Sequence, residues 1–436
     1  MKTKIIQKKR ITAPKYYIAT FGCQMNHKDS QQMAGVLEAL GFVQTPEIDK
    51  SNVAIINTCS VRQASEDKVY GFGVKYKEQG WVNPNSLSFP RRRESPKKSK
   101  RSPIKSGMTV KNYKDSNKFG KSKPLTFVTG CMVGSAKGER TRYTVDTLHK
   151  KMPWADYFLS PNEENQLPQI LLKENLIDDW GIKTLEGHNF EEDAKRDNSK
   201  TAYINISYGC DNFCTFCVVP YARGREVSRP KDEIIREIKH AVLRGYSDIL
   251  LLGQNVNSWM LTPTQKLKTR KKIGEHPFAD LLTEIHNIEG VEKIRFITSN
   301  PWDFTPHLVK TLALPKIERF LHLPIQSGSN EILKAMNRRH TVEGYLQLVE
   351  EIKKEVSEME FGTDIIVGFP GETEEDFQKT VKLFKKIKYK VAFISIYSPR
   401  QGTPAAKHME NNVPLDVKKE RHKRLTEIFN KYKESR

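Results

Sequence analysis

Nowhere in the 436 residues does an apolar run approach the roughly 18–20 residues that a membrane-spanning helix needs. The basic N-terminus, MKTKIIQKKRITAPKYY, has no apolar stretch after it and so does not read as a secretory signal. The chain is therefore expected to be cytoplasmic, with no membrane partner. No G-x-x-x-x-G-K-S/T pattern occurs, which excludes a P-loop of that kind. Cysteine is scarce, at six residues. Disulfides are not expected in a reducing compartment, so these thiols are better explained as metal ligands or redox groups.

The length predicts two or three domains rather than one, and a hydrophobic content of 37% is enough for buried cores. The formal net charge is +21, but residues 84–124 contain 13 Lys or Arg against Glu94 and Asp115 and supply about half of it. The remainder is still basic. A polyanionic partner such as RNA and a plain solvated surface both stay open.

KYYIATFGC (15–23), VAIINTC (53–59) and LTFVTGC (125–131) read as strands. HKDSQQMAGVLEALGF (27–42) has helical spacing through Met33, Val36, Leu37 and Leu40, with Asp29 or Ser30 as its cap. This βαβα rhythm over 15–160 predicts an open parallel α/β sheet. Residues 84–124 are dense in Ser, Lys, Arg and Pro, and predict a disordered surface insertion rather than a basic arm on RNA. Residues 161–200 read as a helix followed by a linker. Strand candidates then recur at Tyr203–Ser207, Asp248–Leu252, Lys293–Thr298, Phe320–Leu323, Thr363–Val367 and Ala392–Ile396, with helices between them, as at 230–245 and 374–387. Over 201–415 this predicts a partial (β/α)6 barrel or an open doubly wound sheet. Basic tracts at 266–272 and 418–433 read as solvated faces.

All six cysteines fall into two sets of three. Cys210, Cys214 and Cys217 form C-x-x-x-C-x-x-C in YGCDNFCTFC. Three thiolates so close together suit a 4Fe-4S cube with one iron left open, at which S-adenosylmethionine can be chelated and cleaved by one electron. A zinc site is the rival reading, although it usually wants four ligands. Cys23, Cys59 and Cys131 are far apart in sequence, yet each follows a predicted strand. Strand ends share one edge of a parallel sheet, so these three can converge on a second cluster. Singly, each could be a buried structural thiol. Two open-iron clusters would divide the work, one making a radical and the other presenting a sulfur atom for insertion into a C–H bond.

These residues resemble the methylthiotransferase family of radical S-adenosylmethionine enzymes. The matching stretches are GCQMN (22–26), NTCSVR (57–62), GC (130–131), YGCDNFCTFCVVPYARGREVSRP (208–230), LLGQNVNSW (251–259), HLPIQSGSN (322–330), MNRRHT (336–341), DIIVGFPGETEEDF (364–377) and YSPRQGTPAA (397–406). They cover nearly the whole chain outside 84–124 and the ends. The contexts GCQMN and NTCS are similar to the branch that methylthiolates isopentenyladenosine in tRNA.

The resemblance implies an α/β fold, with an N-terminal methylthiotransferase domain (15–160), a linker (161–200) and a radical S-adenosylmethionine partial barrel (201–415). It implies two 4Fe-4S clusters, the auxiliary one on Cys23, Cys59 and Cys131 and the radical-generating one on Cys210, Cys214 and Cys217. One S-adenosylmethionine would methylate a cluster-borne sulfur, and a second would yield the radical that takes hydrogen from carbon 2 of the adenine beside the anticodon. The implied partners are tRNA and a one-electron donor such as flavodoxin or ferredoxin, with the enzyme a monomer. Family members continue into a small β-barrel RNA-binding domain, called TRAM, whereas this sequence stops after a basic tail at 416–436.

Beyond the cysteines, Phe216 is placed to pack by the cofactor adenine or to shield the cluster from water. Gln254, Asn255, Gln326 and Ser327 follow predicted barrel strands, and either point toward the active face or serve turns. Gly368 and Gly371 suit backbone turns, and Thr373 with Asp376 reads as a capping box. Arg223 and Arg225 are expected to meet tRNA phosphate in preference to a carboxylate of the protein. A ribosomal-protein target, a cluster protein without turnover and a zinc-bound nucleic-acid module are the alternatives.

Overall fold

A computed structural model describes residues 13–60, 63–82, 123–196, 200–267 and 274–434. The predicted insertion at 84–124, except for its last two residues, and most of the basic tract at 266–272 lie outside them. Among the described residues no helix is long and apolar enough to cross a membrane.

The first sheet contains β1 (Lys15–Phe21), β2 (Val43–Gln44), β3 (Val53–Thr58), β4 (Leu125–Gly130) and β5 (Tyr157–Leu159). Its order is β2-β1-β3-β4-β5 and every pairing is parallel. The central strand β3 is buried at every position, as a parallel strand covered on both faces must be. Val53 and Ile55 pack beneath α1 (Gln24–Ala39) with Met33 and Leu37. Ala54 and Ile56 face the other way, toward α2 (Gln63–Glu78), α3 (Cys131–Lys137) and α4 (Val145–Lys151). This is the period-two alternation of a strand.

Helix α1 begins earlier than the sequence pattern predicts, with Cys23 rather than Asp29 or Ser30 at its N-cap. The Asn26 side chain accepts a hydrogen bond from the Cys23 amide at 3.3 Å, which fixes the start. Asp29 and Ser30 are buried within the helix instead. The stretch after β5 also differs from one helix and a linker. It forms α5 (Leu167–Lys173) and α6 (Asp179–Thr184), and then a strap that reaches the barrel through Glu191, which accepts from the Tyr208 hydroxyl, and Arg196, which pairs with Glu237.

The second half contains β6 (Thr201–Asn205), a short antiparallel pair of β7 (Ser207–Tyr208) and β8 (Val227–Ser228), β9 (Asp248–Leu252), β10 (Lys293–Phe296), β11 (Phe320–His322), β12 (Glu360–Val367) and β13 (Val391–Ile396). Strands β6, β9 and β10 pair in parallel, as do β11, β12 and β13, and a bridge between Ile294 and Ile317 joins the two runs. Among the described residues β13 does not pair with β6, so the barrel stays open on one side and is the partial (β/α)6 barrel expected. Its outer core joins Ile204, Ile249, Leu321 and Ile365 to Ile234, Phe278, Leu348 and Phe384 of the helical layer.

The capping box forms as predicted at the start of Glu374–Ile387, and Gly368 and Gly371 sit at positive φ. The 418–433 tract departs from a fully solvated face. Helix Leu415–Glu434 packs back on β13, and its Lys418 and Arg421 are buried. Arg421 pairs with Glu372 at 2.8 Å.

Candidate cluster and radical site

Register brings the dispersed cysteines together. Phe21 pairs with Thr58, and Thr58 with Gly130. Cys59 and Cys131 follow immediately, and Cys23 lies two residues past Phe21. The three thiols therefore leave adjacent strands β1, β3 and β4 at one sheet edge, about 4.8 Å apart per strand step.

Local residues explain why the chain turns there. Gly130 has φ of 92°, and a Cβ on it would lie 2.4 Å from Asn57 Oδ1, so only glycine fits. Asn26 donates to Asn57 Oδ1 at 2.9 Å, and Asn57 returns a bond to the Asn26 carbonyl at 2.8 Å. This buried pair ties the turn at Cys23 to the turn at Cys59. Hydrogen bonding with Cys59 pulls the Cys131 thiol down to about 6, against burial, with Arg223 adding to the effect.

The second set lies on the loop between β7 and α7 (Val219–Ala222). Gly209, before Cys210, has φ of 67°, and a Cβ there would lie 1.9 Å from the Arg225 carbonyl oxygen. Thr215 anchors the loop, donating its hydroxyl to the Ala335 carbonyl at 2.9 Å and its amide to the Met336 carbonyl at 3.1 Å. Asn337 donates to the Phe213 carbonyl at 3.0 Å, and Ala405 donates its amide to Thr215. The stretches MNRRHT and YSPRQGTPAA thus act as a cradle for the cysteine loop. Burial, with Cys214 beside it, pushes the Cys217 thiol up to about 12. Arg338 places Nη1 3.5 Å from Cys214 Sγ and stacks on Trp302.

None of the six cysteines is in a disulfide. Among the described residues no three His, Cys, Asp or Glu side chains are gathered around a single-ion position. Cys131 hydrogen-bonds with Cys59 and acts electrostatically on Cys23, and Cys214 lies beside Cys217, so each set groups thiols of the kind that can ligate an iron–sulfur cluster.

The two sites adjoin. Helix α3 starts at Cys131 and packs on α7, which starts two residues after Cys217. Burial pushes the Asp29 carboxyl up, yet Asp29 still meets Arg223 at 2.6 Å. Arg142 donates to Ser60 at 2.7 Å and to the Gln401 carbonyl at 2.7 Å, bridging the halves again.

Other sequence candidates divide. Gln254 donates to Met25 Sδ at 2.7 Å, two residues past Cys23. The Asn255 side chain is taken up in a buried network with Ser258 and Asn300. Gln326 is buried at φ of 76°, and its backbone bridges to Ile365. Phe216 packs edge-on against Phe369. The RNA preference for Arg223 is overturned, because it is buried against Asp29. Arg225 is exposed and pairs with Glu139 at 3.1 Å.

Sequence reasoning missed the barrel's inner wall. His322 Nε2 lies 2.8 Å from Asp364 Oδ2, and Phe393 packs edge-on to the His322 ring. Phe393 sits opposite Asp364 in register and is 47% exposed. The neighbouring Leu321, Ile365 and Ile394 turn outward to the helical layer. Gly362 makes room, since a Cβ there would lie 2.8 Å from His322 Nδ1. The signal was present as HLPIQSG and DIIVGFPGE, read for Gln326, Ser327 and the glycine turns but not for His322 and Asp364.

Residues 204–384 match the radical SAM superfamily, and residues 15–85 match the uncharacterized protein family UPF0004. The chain is 39% identical to the tRNA-2-methylthio-N(6)-dimethylallyladenosine synthase of Clostridium botulinum (strain Hall), over 95% of this chain and 81% of that one. It is 40% identical to the protein of that name from Carboxydothermus hydrogenoformans, over 95% and 83%. Among solved structures it resembles TsrM, a radical S-adenosylmethionine methyltransferase of Kitasatospora setae, with a TM-score of 0.55 and 11% identity, covering 91% of this chain and 77% of that one. At that identity the likeness speaks for the fold alone.

Proposed function

The chain belongs to the tRNA-2-methylthio-N(6)-dimethylallyladenosine synthase family, and on that premise we propose that it adds a methylthio group to carbon 2 of N6-isopentenyladenosine beside the anticodon of tRNA. It is a radical S-adenosylmethionine enzyme carrying a 4Fe-4S cluster.

In this reading Cys210, Cys214 and Cys217 hold the radical-generating cluster, and Cys23, Cys59 and Cys131 hold a second one. When bound, the first supplies the electron that cleaves S-adenosylmethionine, and the second supplies the sulfur that is inserted. Arg338 and Trp302 cover the Cys214 side and keep water from it. Phe216, Gln254 and Gln326 border the cofactor position, whereas Asn255 supports the turn behind it. Phe393 and the His322–Asp364 pair offer the adenine an aromatic edge and polar groups inside the barrel. A small one-electron carrier such as flavodoxin or ferredoxin supplies reducing equivalents to the monomer. The working units are 15–160, the strap at 161–200 and the barrel from 201 to 415, against which the terminal helix packs.

The observation that carries this reading is the meeting of two three-thiol sites across α3 and α7. Inserting sulfur into a C–H bond needs a radical source and a sulfur source within reach of one substrate carbon, and proximity of that kind is a large part of catalysis. The test is mass spectrometry of tRNA nucleosides from a host lacking its own enzyme, with and without this chain. The expected result is the 2-methylthio product with loss of its precursor. Unchanged precursor with soluble, iron-loaded protein would reject the reading.

A further inference from the structure

Arg223 belongs by sequence to the radical half, at the C-cap of α7 just past Cys217. Its side chain leaves that half entirely. It is 4% exposed, with Nε 3.4 Å from Cys131 Sγ and Nη2 2.6 Å from Asp29 Oδ2. Asp29 lies on α1, whose N-cap is Cys23. One guanidinium therefore touches a thiol of the second site and the helix that presents another of its thiols.

We propose that Arg223 is a positioning residue for the group held by Cys23, Cys59 and Cys131, donating an N–H···S bond to Cys131 that raises that group's reduction potential. The proposal rests on the reading above, that a cluster sits on those three thiols. Hydrogen bonds and positive charge at a ligating sulfur withdraw electron density and stabilise the reduced cluster. The rigid fork of arginine satisfies Asp29 and Cys131 at once, whereas a lysine at that place offers a single point charge. Asp29 keeps the fork aimed. Glu164, buried nearby on the same side, is taken by the Thr129 hydroxyl at 2.9 Å and is left out of the contact. Arg225, two residues on, has the same charge but is exposed and turned to Glu139, which makes it the internal reference.

The experiment uses the full chain carrying Cys210→Ala, Cys214→Ala and Cys217→Ala, reconstituted with iron and sulfide and titrated under EPR. This parent is expected to retain one cluster. If it binds no iron, the cluster assignment itself fails, and this proposal fails with it. Adding Arg223→Gln is expected to move the midpoint potential negative, Arg223→Lys to move it less, and Arg225→Gln to leave it in place. If Arg223→Gln cannot hold the cluster, the comparison of Arg223→Lys with the parent decides. Unchanged potential at full iron content in the Arg223 variants would overturn the proposal. So would an equal shift from Arg225→Gln, because charge would then act through space and not through the bond to Cys131.

Discussion

Gly134 lies so close to Ala222 that a Cβ on the glycine would come within 1.9 Å of the Ala222 carbonyl oxygen. The contact is between α3, which begins at Cys131, and α7, which follows Cys217. Backbone cannot yield as a flexible side chain can, so Gly134→Ala must push the two helices apart. Overpacking of this kind costs about 1–3 kcal/mol. The expected outcome is near-normal iron content with methylthiolation reduced at least about tenfold, since misplacement by about 1 Å can cost far more than that. Iron assay and nucleoside mass spectrometry on the same preparation check it.

Removing single thiols should separate the two sites. Cys131→Ala is expected to lower iron by about half, from about eight per chain if both clusters are 4Fe-4S. It should abolish methylthiolation but leave reductive cleavage of S-adenosylmethionine to 5′-deoxyadenosine. Cys214→Ala should lower iron by a similar amount and abolish both. Loss of 5′-deoxyadenosine in the Cys131 variant would show that the sites do not work independently.

What could be read beforehand was what depends on local pattern. The strands β1 and β9 stand where their sequence places them, because alternation or an unbroken apolar run survives in any packing. The convergence of Cys23, Cys59 and Cys131 was legible as well, since each strand end carries the same Gly or Thr before Cys. Long-range electrostatics was not. Arg223 is a charged residue at the end of a short helix, before Gly224, and its sequence carries no sign that Asp29, almost two hundred residues earlier, would meet it in the interior. Asn255 takes the turn role left open for it, for a similar reason: a residue after a barrel strand can be absorbed by a neighbouring loop, here at Asn300.

Glu237 makes a related case in the interface between the halves. It is fully buried and accepts from Lys28 at 2.7 Å, Arg196 at 3.1 Å and Arg229 at 2.7 Å. Glu237→Ala leaves three cations around a site without its anion. Breaking a buried pair from one side typically costs about 3–5 kcal/mol. The variant is expected to unfold at a markedly lower temperature than Glu233→Ala, whose partner-side contact is long at 3.9 Å and half exposed. Thermal melts of the two variants side by side check it.

Phe393 is the large apolar side chain that the barrel leaves open on its inner wall. Folding leaves it half exposed, so its removal should cost stability little. If it receives the substrate adenine or its isopentenyl arm, Phe393→Ala will raise KM for tRNA severalfold. Cleavage of S-adenosylmethionine without product should persist. Equal KM in the variant and the parent would exclude a role in binding.

His276 gives a pH dependence with a definite sign. It is fully buried, with Nε2 2.8 Å from the Asp303 carbonyl. A carbonyl only accepts, so Nε2 carries the proton and Nδ1 is left bare and without a partner. Burial, the largest cause, lowers its pKa from the usual 6.5 to about 4. Between those values the unfolded chain binds a proton that the folded chain refuses, so stability falls as the pH drops through that window. The difference between pH 7 and pH 5 is about 2 kcal/mol. His276→Gln keeps a donor for the Asp303 carbonyl but cannot titrate. Its melting temperature should therefore fall less than the parent's between pH 7 and pH 5, with other carboxylate effects cancelling in the comparison. Parallel loss in both proteins would mean that His276 is reached by water and charges freely in the fold.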